Sequence, residues 1–185
     1  MLPDKFDRAD STPLYWYNHA SDLRAAAAAV CHSAEDEEVG KAIIEKFELG
    51  EGFSMAAAVP SVYEMLCGLS FELLLKAIAA SKQQKIPPHH RLRELAIDVA
   101  ADLSTSELGV LDVLTDSVRW IGRYPRPKFR KEWDAAAERR FKYLYDDVPL
   151  GHLTAKRYNG ALGWDRLSET WAKLSSHYWL LQRSV

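Results

Sequence analysis

The stretch Val59–Ser81, VPSVYEMLCGLSFELLLKAIAAS, constrains this chain more than any other. From Leu66 to Ile78 it is apolar on almost every side of a helix, and such a helix belongs in the middle of a core. Two charged residues, Glu72 and Lys76, interrupt it. Four positions apart, they lie one turn above each other, on a face shared with Met65, Gly68, Leu69 and Ala79. Gly68 and Ala79 are small enough to let another backbone approach. A carboxylate on a buried helix takes a partner or shifts its pKa. Two uses follow: an ion pair that anchors the helix, or a polar site on the most rigid element available.

The remaining elements are arranged by helical spacing. A helix is expected over about Leu14–Ser33, with Trp16, Leu23, Ala27 and Val30 on one face. The segment from Ala34 to Gly52 carries seven acidic residues against two lysines and reads as an exposed amphipathic helix, followed by a linker over 52–58. Ser61 and Glu64 have capping-box spacing, as do Ser104 and Glu107. Pro87 and Pro88 are expected to pre-set a helix beginning at His89-His90. A helix over about Ser106–Tyr124 buries Leu108, Leu111, Leu114, Val118 and Ile121 and carries a polar stripe, Asp112, Asp116, Arg119 and Arg123. A short charged helix is expected over Trp133–Tyr145. The segment after it reads as an irregular connection with a turn signal at Asn159-Gly160. In the last helix Trp164, Leu167, Trp171, Leu174, Tyr178 and Leu181 alternate spacings of three and four, a heptad seam. That seam can pack on its own domain or serve as an interface to a second chain.

The fold class is therefore all-α, a bundle of five to seven helices with an additional C-terminal helix. Residues 1–13 are expected to be a flexible lead-in and 14–185 a single helical domain, divided into a core over 14–131 and a C-terminal extension over 132–185. A length of 185 residues suits that size, and no period of a repeat solenoid recurs. The formal charge of −2 gives no global attraction to nucleic acid. Cys31 and Cys67 have no metal spacing, which favours a reducing, cytoplasmic setting. No apolar run is long enough to span a bilayer. Among six histidines only His89 and His90 adjoin, pointing about 100° apart on a helix, so no metal and no cofactor is expected.

Local charge says more than net charge. From Arg119 to Lys131 there are six basic residues and no acidic one. Arg119, Arg123, Arg126, Lys128 and Arg130, interleaved with Tyr124 and Phe129, form the pattern a nucleic-acid surface uses for phosphate contact and base stacking. RNA cleavage needs little more, because the 2′-hydroxyl is its own nucleophile. The protein supplies a base and a cation. His90 or His89 can be the base, Arg123 or Arg119 the cation, and Glu72 the residue that orients one of them.

Three stretches resemble the HEPN superfamily: MLCGLSFELLLKAIAAS, PPHHRLRELA and VRWIGRYPRP. The E-x-L-L-K-A pattern falls on Glu72, Leu74, Leu75, Lys76 and Ala77, H-x-L on His90, Arg91 and Leu92, and R-Y-P on Arg123, Tyr124 and Pro125. The resemblance spans roughly Tyr15 to Pro127. It implies a helical bundle, commonly a homodimer, of a bacterial defence or toxin–antitoxin system, with many members acting as metal-independent endoribonucleases through an R-x4–6-H motif. No arginine here precedes a histidine at that spacing. Non-catalytic members of the superfamily bind RNA or nucleotides, or serve as partner subunits. Three functions are thus expected in turn: binding of RNA or a cognate protein partner through the basic turn, metal-independent RNA cleavage, and a structural or antitoxin-like subunit.

Overall fold

A computed structural model describes residues 12–183. Among them the chain forms helices α1 (Pro13–Glu35), α2 (Glu37–Lys46), α3 (Met55–Ala58), α4 (Pro60–Ser81), α5 (Leu92–Asp98) and α6 (Thr105–Asp116). A π-helical turn (Ser117–Ile121) continues α6. Helix α7 (Arg130–Leu144), strands β1 (Tyr145–Leu150) and β2 (Leu153–Tyr158), and helix α8 (Trp164–Arg183) complete the fold. The fold is all-α apart from this one hairpin. The segment beyond the expected helices is α3, a single turn inside the stretch read as a linker. The expected lead-in lies outside the described residues, except that Thr12 stands at the N-cap position of α1 and Pro13 begins it.

Helix α4 is the axis of the bundle. Phe71, Leu74, Leu75, Ala77 and Ile78 are all buried. Helix α1 lies against one side through Ala20 and Ala27, both fully buried. The short side chains permit a close approach, and the Ser70 hydroxyl donates to the Ala20 carbonyl at 2.8 Å. On the other side the Trp171 indole of α8 donates to the Ser70 Oγ at 3.0 Å, so one serine joins three helices. The heptad seam of α8 takes the intramolecular course: Leu167, Leu174 and Tyr178 are buried, while Trp164, Trp171 and Leu181 pack against the same core. Tyr178 stacks on Tyr17 with centroids 4.5 Å apart, and Arg24 sits between Trp164 and Trp171 at 4.9 and 4.7 Å. The seam residues thus pack on the core of their own chain.

Helix α6 crosses α4 at Gly68. A methyl group there would lie 2.6 Å from Val118 Cγ2 and 3.1 Å from the Leu114 carbonyl oxygen. The capping box at Ser104 and Glu107 forms. The one expected at Ser61 and Glu64 does not, because Glu64 is buried and engaged elsewhere. Helix α5 starts at Leu92, later than the prolines suggest. Leu92 is fully buried and its N–H donates to Thr115 Oγ1 at 3.0 Å, which fixes the start.

Helix α7 has almost no apolar stripe, burying only Ala136 and Leu144. Adjacent arginines dock it instead. Arg139 makes two 2.8 Å hydrogen bonds to Asp116, and Arg140 reaches Glu64 at 2.8 and 2.6 Å. Both carboxylates are buried. Burial raises the Asp116 carboxyl above its ordinary value, with Arg139 pulling the other way.

The hairpin turns at Gly151-His152, not at Asn159-Gly160. Gly151 takes a φ of +59° at the first of two loop positions, as a type II′ turn requires. Asn159 instead closes the base of the hairpin, its N–H donating to the Leu144 carbonyl at 3.0 Å.

Candidate functional site

Two of the proposed site residues meet. His90 follows the α4–α5 loop back over the central helix, and its Nδ1 lies 2.8 and 3.0 Å from the two oxygens of Glu72. Lys76 Nζ donates to Glu72 Oε1 at 2.7 Å and faces the Trp16 ring at 5.7 Å. The Glu72 and Lys76 side chains are 3% and 9% exposed, that of His90 53%. The arrangement is a buried carboxylate, one turn from its lysine, holding a histidine at the surface by Nδ1. A bond at Nδ1 orients the ring and leaves Nε2 as the nitrogen available for proton transfer. His89 is not part of it. It points away toward Glu94, Nε2 to carboxylate 3.9 Å.

Arg123 is not part of it either. Gly122 packs on Met65 and Val118 on Gly68, so the π-helical turn runs beside the N-terminal half of α4. Glu72 lies seven residues beyond Met65, about 10 Å along the axis. The Arg123 guanidinium donates to the Arg119 carbonyl at 2.8 Å and lies 5.6 Å from the Tyr124 ring. The expected pairing of Arg123 with a histidine does not form within one chain.

The basic turn is a second locus. The π-helical turn inserts a residue, closed by Gly122 N–H to the Ser117 carbonyl at 3.1 Å, and such insertions break the register of a helical face. The four-residue polar stripe accordingly splits. Asp112 pairs with Arg93 at 3.0 Å and Asp116 with Arg139, while Arg119 turns to Glu132 at 3.2 Å. Arg130 is held by Asp134 at 2.9 Å. Arg123, Arg126, Lys128 and Lys131 form no ion pair with a carboxylate among the described residues. Lys128 and Lys131 flank the Phe129 ring at 5.3 and 5.8 Å. Tyr124 and Phe129 are 57% and 51% exposed.

An open cleft of about 610 Å³ lies beneath this turn, lined by Arg119, Trp120, Tyr124, Arg126, Lys128 and Glu132. The Trp120 ring packs on Trp133 with centroids 5.7 Å apart. Its indole N–H is buried and finds no acceptor among the described residues, an uncommon state for a buried donor. Trp120 and Trp133 were not singled out by sequence. Their spacing from Tyr124 and Phe129 within one basic segment is the signal that could have found them.

No group of three or more metal-ligating side chains occurs among the described residues, and none of their helices is long and apolar enough to cross a membrane. The chain matches no protein-family model, no curated protein and no solved structure.

Proposed function

We propose that this chain is a HEPN-like helical protein that binds single-stranded RNA through the Arg119–Lys131 turn, in a bacterial defence or toxin–antitoxin setting. One observation carries the binding reading. Two cations without carboxylate partners, Arg126 and Lys128, line one cleft with the half-exposed Tyr124 ring, and Arg123, Lys131 and the half-exposed Phe129 ring belong to the same turn. Unpaired cations release counterions from a phosphate backbone, and exposed rings give every base a surface to stack on.

Fluorescence anisotropy with a labelled mixed-sequence RNA tests this reading. With four cations engaged, log K against log salt has a slope of about −3. Arg123→Ala and Lys128→Ala each weaken binding across sequences and reduce the magnitude of that slope by about 0.7. Binding that ignores salt, or that survives both substitutions unchanged, overturns it.

A second reading, metal-independent RNA cleavage, is favoured by the Glu72–His90 contact. An oriented imidazole is the group that takes the proton of a 2′-hydroxyl. End-labelled RNA incubated in EDTA is then cleaved, and cleavage is lost in His90→Ala. Intact RNA with the wild-type protein removes this reading and leaves the first standing.

A further inference from the structure

The β1–β2 hairpin projects from the end of α7 with little of its own to hold it. Two strands without further cover are marginal in water. Its twelve residues include only two that are even half-buried, Val148 and Ala155. The two leucines flanking the turn, Leu150 and Leu153, are 65% and 72% exposed.

The ladder shows which edge is open. The Asn159 N–H donates to the Leu144 carbonyl at the hairpin base. Inward-bonded pairs alternate along an antiparallel ladder, so Asp146–Arg157, Val148–Ala155 and Leu150–Leu153 are the bonded pairs in the observed register. The residues whose backbone groups point outward are then Tyr145, Asp147 and Pro149 on β1, and Thr154, Lys156 and Tyr158 on β2. Pro149 has no N–H, and proline and charge on an outer edge deter strand addition. The β1 edge is blunted in this way by Pro149, while charge stands on both edges, Asp147 on β1 and Lys156 on β2, and those two are paired at 2.9 Å. The β2 edge keeps every donor and acceptor, and the outward groups of Thr154, Lys156 and Tyr158 meet no backbone partner among the described residues.

We infer that the β2 edge pairs antiparallel with β2 of a second copy of this chain, forming a four-stranded sheet about a two-fold axis through Ala155. The register follows from charge and from the outward groups together. With the axis at Ala155, Thr154 of one copy bonds Lys156 of the other, both through outward-pointing groups. A shift to the next bonded register on one side sets Lys156 against Lys156, and like charges directly opposite are destabilising. In the Ala155 register each lysine stands between a threonine and its own Asp147, already at 2.9 Å. The opposite face then joins Val148, Ala155, Leu150 and Leu153 of both copies into one aliphatic strip. Arg157, the cross-strand neighbour of Asp146, lays its stem along the second copy's leucine. An isologous contact of this kind is self-complementary and closed, so it stops at two.

Sedimentation of the intact protein across a concentration series tests the inference, together with Thr154→Pro and Ala155→Cys. Thr154 stands opposite Pro149, and its N–H points outward, so proline there leaves the inner ladder intact. The expected result is a dimer forming reversibly in the range of about 1–100 μM for the wild type and a monomer of unchanged helicity and melting temperature for Thr154→Pro. Ala155 faces its own copy in a non-bonded pair, where Cα atoms approach to about 4.5 Å, within disulfide reach. Mild oxidation therefore joins Ala155→Cys chains covalently, whereas Lys156→Cys chains, whose cysteine faces Thr154, stay apart. A wild-type monomer throughout, a dimer that survives Thr154→Pro, or equal cross-linking at both positions overturns the proposal. RNA binding by the wild type is read separately, so neither result depends on the other.

Discussion

Glu64 receives both terminal nitrogens of Arg140, at 2.6 and 2.8 Å, while 6% exposed at the heart of the bundle. The same carboxylate accepts the Ser117 hydroxyl at 2.7 Å. One buried charge thus ties the central helix to α7 and to the start of the π-helical turn that carries the basic cleft. Removing one member of a buried pair typically costs about 3–5 kcal/mol. Arg140→Met is expected at the low end, because its side chain is 32% exposed. Replacing both partners with methionine recovers most of that loss, short of the Ser117 hydroxyl that loses its acceptor. Urea unfolding of the two single variants and the double variant measures it.

The dependence on buried charge explains what the sequence revealed and what it hid. The all-α class, the central helix and the Ser104–Glu107 cap were legible because each rests on local spacing. So was the Glu72–Lys76 pair, since residues four apart on a helix must be neighbours. The roles of Glu64 and Asp116 were not legible. Glu64 has the position of a capping residue, and only the tertiary approach of Arg140 decides otherwise. Helix α7 reads as an exposed charged helix because its docking is ionic rather than apolar. The hairpin was hidden by Asn159-Gly160, a stronger turn signal than Gly151-His152, and by strands too exposed to alternate cleanly. Spacing leaves open which side chain Glu72 orients, and the three-dimensional return of the α4–α5 loop brings it His90 rather than His89 or Arg123.

Cys31 and Cys67 lie near the Tyr63 hydroxyl inside the bundle. Burial pushes the Cys31 thiol up to about 11, with Glu35 adding to it, and burial pushes Cys67 up to about 12. The thiolate is the reactive form, so neither thiol is expected to react with an aromatic disulfide reagent at neutral pH in the folded state. Both react in denaturant. Fast modification of the native protein contradicts this, and a count of released chromophore reads it directly.

His177 on α8 is held below its ordinary value, chiefly by burial and then by the Lys82 ammonium. Lys82 itself is fixed on the α5 side, donating to the Val99 carbonyl at 2.5 Å. The unfolded chain binds this proton more readily than the folded one. Its stabilisation is therefore complete above about pH 6.5 and is lost as pH falls through that value toward the folded one. Melting temperature is expected to drop between pH 7 and pH 5, and His177→Gln to flatten part of the drop. An identical pH profile in the variant removes His177 as a cause.

The cluster at Glu72 separates a structural role from a chemical one. Lys76 and His90 share a carboxylate whose side chain is 3% exposed, so their contributions are coupled. Lys76→Met leaves that buried charge to one half-exposed histidine and is expected to destabilise by about 3 kcal/mol or more. His90→Ala keeps the 2.7 Å lysine contact and is expected to cost about 1–2 kcal/mol. The double variant departs from additivity by about 0.5–3 kcal/mol, as residues in one network do. Denaturant unfolding of the cycle supplies these numbers, and RNA cleavage by the same proteins gives the second axis. Loss of cleavage in His90→Ala at near wild-type stability assigns the imidazole to chemistry. Loss that follows stability across all three variants assigns the cluster to anchoring α4 and the α4–α5 loop.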